Sequence, residues 1–209
     1  MKKVFAVLAV LAVAAAAQAE LLATWNTVGG TVTPENVTGL KDVSDLSLYG
    51  NAKQTATSSI YGVNTLTDGQ SGIKFSVTAE ENYTIDGAIL AGYVSGSSTG
   101  PKQIDFLVNG TQVTSHSRPQ GSSGNALSSE FTANLGSLGN SATVALVADT
   151  AAGTVRSGTN ENFSNAAGNF TLRTSMTLDG NVSAVPEPAT MSLLGLGALA
   201  MALRRKLRK

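Results

Sequence analysis

Short runs in which apolar and polar side chains alternate dominate the middle of this chain. Ile73, Phe75, Val77 and Ala79 alternate with Lys74, Ser76 and Thr78, and Ile104, Phe106 and Val108 alternate with Asp105 and Leu107. Phe170, Leu172, Thr174, Met176 and Leu178 alternate with Thr171, Arg173, Ser175, Thr177 and Asp179. A period of two sends every second side chain to the same face, so each run predicts a strand with one face on a core. Residues 21–25, 46–49, 86–94, 131–135 and 142–148 are further candidate strands, and the last has few polar breaks, as a central strand would. Asn109-Gly110 joins 104–108 to 111–115 as a two-residue type I′ hairpin turn, the strongest local signal in the sequence. Residues 96–102, 118–129 and 150–168 are rich in Gly and Ser and read as loops. No helical stripe crosses this region. Eight or nine short strands of this kind predict an all-β fold, an antiparallel β-sandwich or jelly roll.

The two ends break the pattern. Lys2-Lys3 precedes an unbroken apolar run from Val4 to Ala16, followed by Ala17, Gln18 and Ala19 before Glu20. A charged start, a short apolar stretch and an Ala-x-Ala site form a secretory signal peptide, with cleavage expected between Ala19 and Glu20. The run falls short of the about 20 residues that a spanning helix needs. At the other end Val185, Pro186, Glu187 and Pro188 lead into an apolar stretch over residues 189–203. Arg204, Arg205, Lys206, Leu207, Arg208 and Lys209 then finish the chain as a basic stop. Prolines on both sides of Glu187 keep that segment extended and open to a processing enzyme. As a helix the apolar stretch would be about 22 Å long against a bilayer core of about 30 Å, and snorkelling arginines would make up part of the difference. The basic end would stay cytoplasmic, with everything before it outside.

This tail resembles the PEP-CTERM sorting signal: a Pro-Glu-Pro motif, a short Gly/Leu/Ala helix and an Arg-rich end, in that order. The resemblance implies recognition by an exosortase, an integral-membrane enzyme that cuts near the motif and passes the protein to the envelope surface or extracellular matrix. The domain plan is then a signal peptide over 1–19, a β-sandwich over 20–184 and a sorting signal over 185–209, with the apolar helix at 189–203 and the basic tail at 204–209. A second resemblance covers the exported region. Leu22-Ala23-Thr24-Trp25, the run from Phe75 to Tyr83, and the strand at 169–180 that leads into the sorting signal are similar to phrases of planctomycete- and verrucomicrobia-type PEP-CTERM proteins. Where those proteins carry an acid in the last strand, this chain has Thr174 or Ser175.

Charge sharpens the division. The whole chain sums to zero, but residues 1–19 carry +2, residues 20–185 carry −6 and residues 186–209 carry +4. The acidic middle is a poor partner for nucleic acid. Gly, Ser, Thr and Asn number 22, 22, 23 and 14 among 209 residues, a composition that suits turns and strand edges far better than helices. The absence of cysteine excludes disulfide frameworks, zinc-cysteine centres and a lipid-anchored N-terminus.

Candidate chemistry is sparse. The one histidine, His116, lies between Ser115 and Ser117 and reads as solvent-facing. A single histidine builds no multi-histidine metal site. Glu80, Glu81, Asp86, Asp105 and Glu130 are the carboxylates that a glycoside hydrolase would draw on, but no spacing singles out a pair. Asp68-Gly69, Asp86-Gly87 and Asp179-Gly180 read as turns. Glu35, Asp42 and Asp45, in the loop after the first strand, add oxygens that would suit a structural calcium ion, although none has EF-hand spacing. Tyr61 and Phe163, flanked by polar loop residues, are candidate glycan platforms; the other aromatics, including Tyr83 and Tyr93, fit a core. Six Asn-x-Ser/Thr sequons occur (at Asn36, Asn82, Asn109, Asn162, Asn169 and Asn181), and several are expected by chance in so Asn- and Thr-rich a chain.

The expectation is a non-enzymatic, exported structural or adhesive protein with no cofactor beyond that candidate calcium. Its partners would be signal peptidase and the translocation machinery, exosortase, the inner membrane in transit and extracellular polysaccharide. A carbohydrate-binding module is the first alternative and a carboxylate-pair glycoside hydrolase the second.

Overall fold

The computed structural model describes residues 19–27, 32–50, 52, 62–63, 71–96, 100–118, 129–154, 170–172 and 175–185, and in the C-terminal tail residues 195–197, 201 and 204. The described residues build two antiparallel sheets. The first contains β1 (Glu20–Asn26), β2 (Pro34–Glu35), β5 (Gly62–Val63), β7 (Tyr83–Gly96), β10 (Ser129–Gly136), β12 (Phe170–Leu172) and β13 (Ser175–Ala184). The second contains β3 (Leu40–Val43), β4 (Ser47–Gly50), β6 (Ser71–Ala79), β8 (Pro101–Val108), β9 (Thr111–Ser117) and β11 (Ser141–Thr154). The chain is a β-sandwich, as the alternation predicts.

In the first sheet β7 lies between β10 on one side and β13 with β12 on the other, and β13 in turn pairs with β1. In the second sheet the order runs from β3 and β4 through β6, β11 and β8 to β9. Inward side chains of the two sheets interdigitate. Trp25, Leu90 and Met176 from the first sheet and Ile73, Phe106 and Leu146 from the second are at most 1% exposed. The Trp25 ring packs on Phe75 with centroids 4.4 Å apart, and its Nε1–H donates to the Ser44 carbonyl at 3.3 Å. β11 is central, as its apolar run implies: Ala145 and Val147, on its outward face, are buried as well as Leu146 on its inward one.

Several elements differ from the sequence expectation. Residues 170–178 do not form one strand. Leu172 faces Val94 while Thr177 faces Ala91, so the segment carries extra residues between them and enters β7's edge as two strands. Asp86-Gly87 and Asp179-Gly180 are not turns but lie inside β7 and β13, where the register shifts between Asp179 and Asn181. Gly87 has φ of 59°, a conformation that glycine takes without steric penalty, so this is a β-bulge. Glu35 and Asp42 stand in β2 and β3 and not in a loop. Asn109 and Gly110 do form the expected hairpin turn, with φ of 51° and 80°, both positive as type I′ requires. Asn109 further clamps the edge of β11, its N–H donating to the Thr143 carbonyl at 2.8 Å and its Oδ1 accepting from the Thr143 N–H at 2.9 Å.

The topology gives the sandwich two distinct ends. β1 begins, and β6, β8, β10 and β13 finish, at one end, where β7, β9 and β11 start. Glu20 pairs with Gly180 there, Tyr83 pairs with Ala184, and the Val185 N–H donates to the Asn82 carbonyl at 2.7 Å. The N-terminal and C-terminal segments therefore leave the sandwich from the same end. In the tail, residues 195–197, 201 and 204 are helical. Among the described residues no helix is long and apolar enough to cross a membrane.

Candidate functional site

A depression of about 380 Å³ opens on the outward face of the first sheet, toward the end opposite the two termini. Three neighbouring strands supply it: Ala91, Gly92 and Tyr93 from β7, Glu130, Phe131 and Thr132 from β10, and Ser175 and Thr177 from β13. The local sequence explains its shape. Residues directly opposite across a ladder share a face. Tyr93 pairs with Glu130, and Ala91 pairs with Thr132 on one side and Thr177 on the other. Ala91 has only a methyl group between larger neighbours, so it forms the floor. Gly92 points inward, where the Phe131 ring occupies the space its side chain would take: a Cβ there would lie 2.8 Å from Phe131 Cζ. Tyr93 forms a half-buried wall, and Glu130, Thr132 and Ser175 are exposed at the rim. A phenol ring, hydroxyls and one carboxylate over an apolar floor form a set that hydrogen-bonds polyols.

A second cluster lies where the sheets meet, at β9 and β10. His116 is half-buried there and not solvent-facing: its Nε2 is 2.8 Å from Ser129 Oγ and its ring lies 6.1 Å from that of Phe131. Arg118, two residues on, is 2% exposed and donates from Nη1 to the Pro101 carbonyl at 2.9 Å; burial brings its guanidinium down to about 10. Burial disfavours the His116 imidazolium, with repulsion from Arg118 adding to it, so the ring titrates below its ordinary 6.5. The unfolded chain then binds that proton more tightly than the folded one. Stability from the neutral ring is full above pH 6.5 and declines as the pH falls below it. The denaturant midpoint should therefore drop between pH 8 and pH 5, and His116→Gln, which keeps a partner for Ser129, should show a smaller drop. An equal drop in both chains would place the acid sensitivity elsewhere.

The carboxylates do not assemble as a hydrolase pair in the depression. Asp86 sits at the terminal end, where hydrogen bonds from the Ser137 and Thr84 hydroxyls, the latter at 3.0 Å, hold its carboxyl below the usual range. Asp105 is joined to Asp149, a residue the sequence did not single out, because Gln103 Nε2 donates to both, at 3.1 Å and 2.8 Å. Glu80 and Glu81 occupy the turn between β6 and β7, and Glu130 alone reaches the depression. Among the described residues no group of three or more acids and histidines is placed to hold a metal ion. Asp68, the remaining Asp-Gly aspartate, lies outside the described residues, as do Tyr61 and Phe163. Of the processing residues, Ala19, Glu20, Val185 and Arg204 are described and exposed. Ala17, Pro186, Glu187, Pro188, Arg205, Lys206, Arg208 and Lys209 lie outside the described residues. Tyr83, 40% exposed, and Tyr93 are at the surface and not in the core that the sequence assigned them.

Residues 184–206 match the PEP-CTERM protein-sorting motif family. The chain therefore carries this motif at its end, and the motif marks it as an exported, cell-surface protein sorted by exosortase. No curated protein matches the sequence, so the second resemblance of the exported region stays one of sequence phrases. Among solved structures, an acetyl xylan esterase from the rumen bacterium Butyrivibrio proteoclasticus is 12% identical, with a TM-score of 0.36 over 73% of this chain and 32% of its own. A family two carbohydrate esterase from Cellvibrio japonicus is 13% identical, with a TM-score of 0.31 over 81% of this chain and 37% of its own. A family 35 carbohydrate binding module from an environmental isolate is 13% identical, with a TM-score of 0.33 over 79% of this chain and 98% of its own. The chain thus spans about a third of the length of the two esterases.

Proposed function

We propose that the protein is a non-enzymatic structural and adhesive component of the cell envelope or extracellular matrix, and that it adheres to polysaccharide through the depression on the first sheet. The observation that supports this reading is the depression itself. Tyr93 stands beside an Ala91 floor, with Glu130, Thr132, Ser175 and Thr177 around it, on the outward face of the first sheet and nearer the end opposite the sorting tail. A sugar ring laid on a tyrosine buries its apolar face while its hydroxyls bond to rim oxygens. The mature domain would be residues 20–184, released from the signal peptide after Ala19 and from the sorting signal near Pro186.

A glycan array probed with the exported chain tests the reading. Tyr93→Ala should weaken retention on the polysaccharide that the wild type binds by tenfold or more, about 1.4 kcal/mol. Thr177→Val should weaken it less. A wild type that binds no glycan, or a Tyr93→Ala chain that binds as well as the wild type, would overturn the adhesive site. Running the array with and without calcium tests whether an ion contributes.

A further inference from the structure

We propose that the end of the sandwich from which both terminal segments leave is a docking surface for the membrane-embedded sorting enzyme, which would read the fold as well as the tail. The proposal rests on the reading that the tail is cut near Pro186. Val185 is tied to Asn82 by a backbone hydrogen bond, and residues 182–184 are laddered to Tyr83, Thr84 and Ile85 of β7. Only Pro186, Glu187 and Pro188 separate Val185 from the apolar stretch. Fully extended, four Cα steps from residue 185 to residue 189 span roughly 14 Å. An enzyme that binds an extended segment on both sides of the bond it cuts has no room there to avoid the folded domain.

The surface it would meet is unusual for this molecule. In the described part of the sandwich, five large hydrophobic side chains are exposed: Leu21 at 40%, Val37 at 44%, Tyr83 at 40%, Val113 at 43% and Val185 at 46%. Single exposed apolar residues are ordinary. Here four of the five flank the final stretch of β13. Tyr83 and Val185 lie at its tip. Leu21 lies in β1 opposite Asp179, and Val37 precedes Thr38, whose N–H donates to the Leu22 carbonyl at 2.9 Å. The segment after Val37 reaches β13 itself, since a Cβ on Gly39 would touch Val182 Cγ2 at 3.6 Å.

Charge selects the occupant. Glu20, Glu80 and Glu81 are exposed at this end and outnumber Lys41. Carboxylates repel an anionic bilayer and complement a protein surface with an apolar centre and a cationic rim.

The test uses the full-length chain expressed with its sorting enzyme, following conversion to the mature form by intact mass. A Leu21→Ser, Val37→Ser, Tyr83→Ser triple variant should convert at least tenfold more slowly than the wild type while melting cooperatively. Val113→Ser, a single change at the same end of the sandwich but on the edge strand of the other sheet, away from β13, should convert normally. A flexible ten-residue insertion after Val185 separates fold from tail, and in that background the triple variant should convert at the rate of its parent. Normal conversion of a folded triple variant, or equal slowing by Val113→Ser, overturns the docking surface. So does a triple variant that loses binding of the full chain to anionic vesicles, which would make the bilayer the occupant. A wild-type chain that is never shortened sinks the processing reading and the docking with it.

Discussion

Replacing Trp25 by alanine is expected to lower the folding free energy by about 4 kcal/mol, within the range for emptying a buried aromatic site. The indole is fully buried, packs on Phe75 and bonds to the Ser44 carbonyl, so the change removes core volume and leaves an acceptor without its donor. Trp25 links β1 in the first sheet to β6 and the approach to β4 in the second. Urea unfolding followed by far-ultraviolet circular dichroism is the suitable measurement, because the chain has one tryptophan and the variant has no indole fluorescence. Trp25→Phe, which keeps a ring against Phe75, should recover most of the loss. A Trp25→Ala chain within about 1 kcal/mol of the wild type would mean that the ring is not part of the core.

Gly72→Ala should be nearly as damaging for the opposite reason. A Cβ on Gly72 would lie 2.0 Å from the Leu146 carbonyl oxygen and 3.0 Å from Val147 Cα. Both are backbone atoms of β11, so no side-chain rotation relieves the overlap, and β6 and β11 must separate where Gly72 pairs with Val147. Overpacking against a fixed backbone costs about 3 kcal/mol, equivalent to a fall of roughly 10 °C in melting temperature for a domain of this size. Calorimetry of the variant checks it. An unchanged melting temperature would show that the two strands are looser at this point than their ladder implies.

The parts of the fold legible in the sequence are those in which one face meets the core and the other meets water. β6, β10 and β13 alternate cleanly, and their inward residues are the buried ones. The apolar breadth of 142–148 marked β11 as central because both of its faces are covered. β3 escaped notice because Leu40, Lys41, Asp42 and Val43 do not alternate; the strand exists through pairing with the edge of β6. The candidate site was hidden for a related reason. In β7 Ile89, Ala91 and Tyr93 face outward and Ala88, Leu90 and Val94 inward, so both faces are apolar and the pattern alone assigns neither. Tyr93 therefore passed for a core residue. What exposes it is pairing with Glu130, a contact between strands more than thirty residues apart. The small Ala91 between Ile89 and Tyr93 was the one local trace of a floor. His116 looked solvated because its sequence neighbours are serines, and only the approach of β10 buries it. The tail is the opposite case: its information is linear, and it could be read without any fold.

The place of β13 in the first sheet sets the order of events during export. On the reading that a signal peptide over residues 1–19 leads the chain across the membrane, β1 and β7 are outside long before residues 175–184 emerge. Until then each has an open edge where β13 belongs, a ready template for pairing with another chain. Closing Glu20 onto Gly180 joins positions at opposite ends of the domain, the slowest kind of contact to form. A chain stalled in the translocon one strand short of its end would be vulnerable to misassembly. When the last strand does arrive, zipping it between β1 and β7 pulls directly on the segment behind it. Completion of the fold thus becomes a mechanical load on the chain that follows Val185.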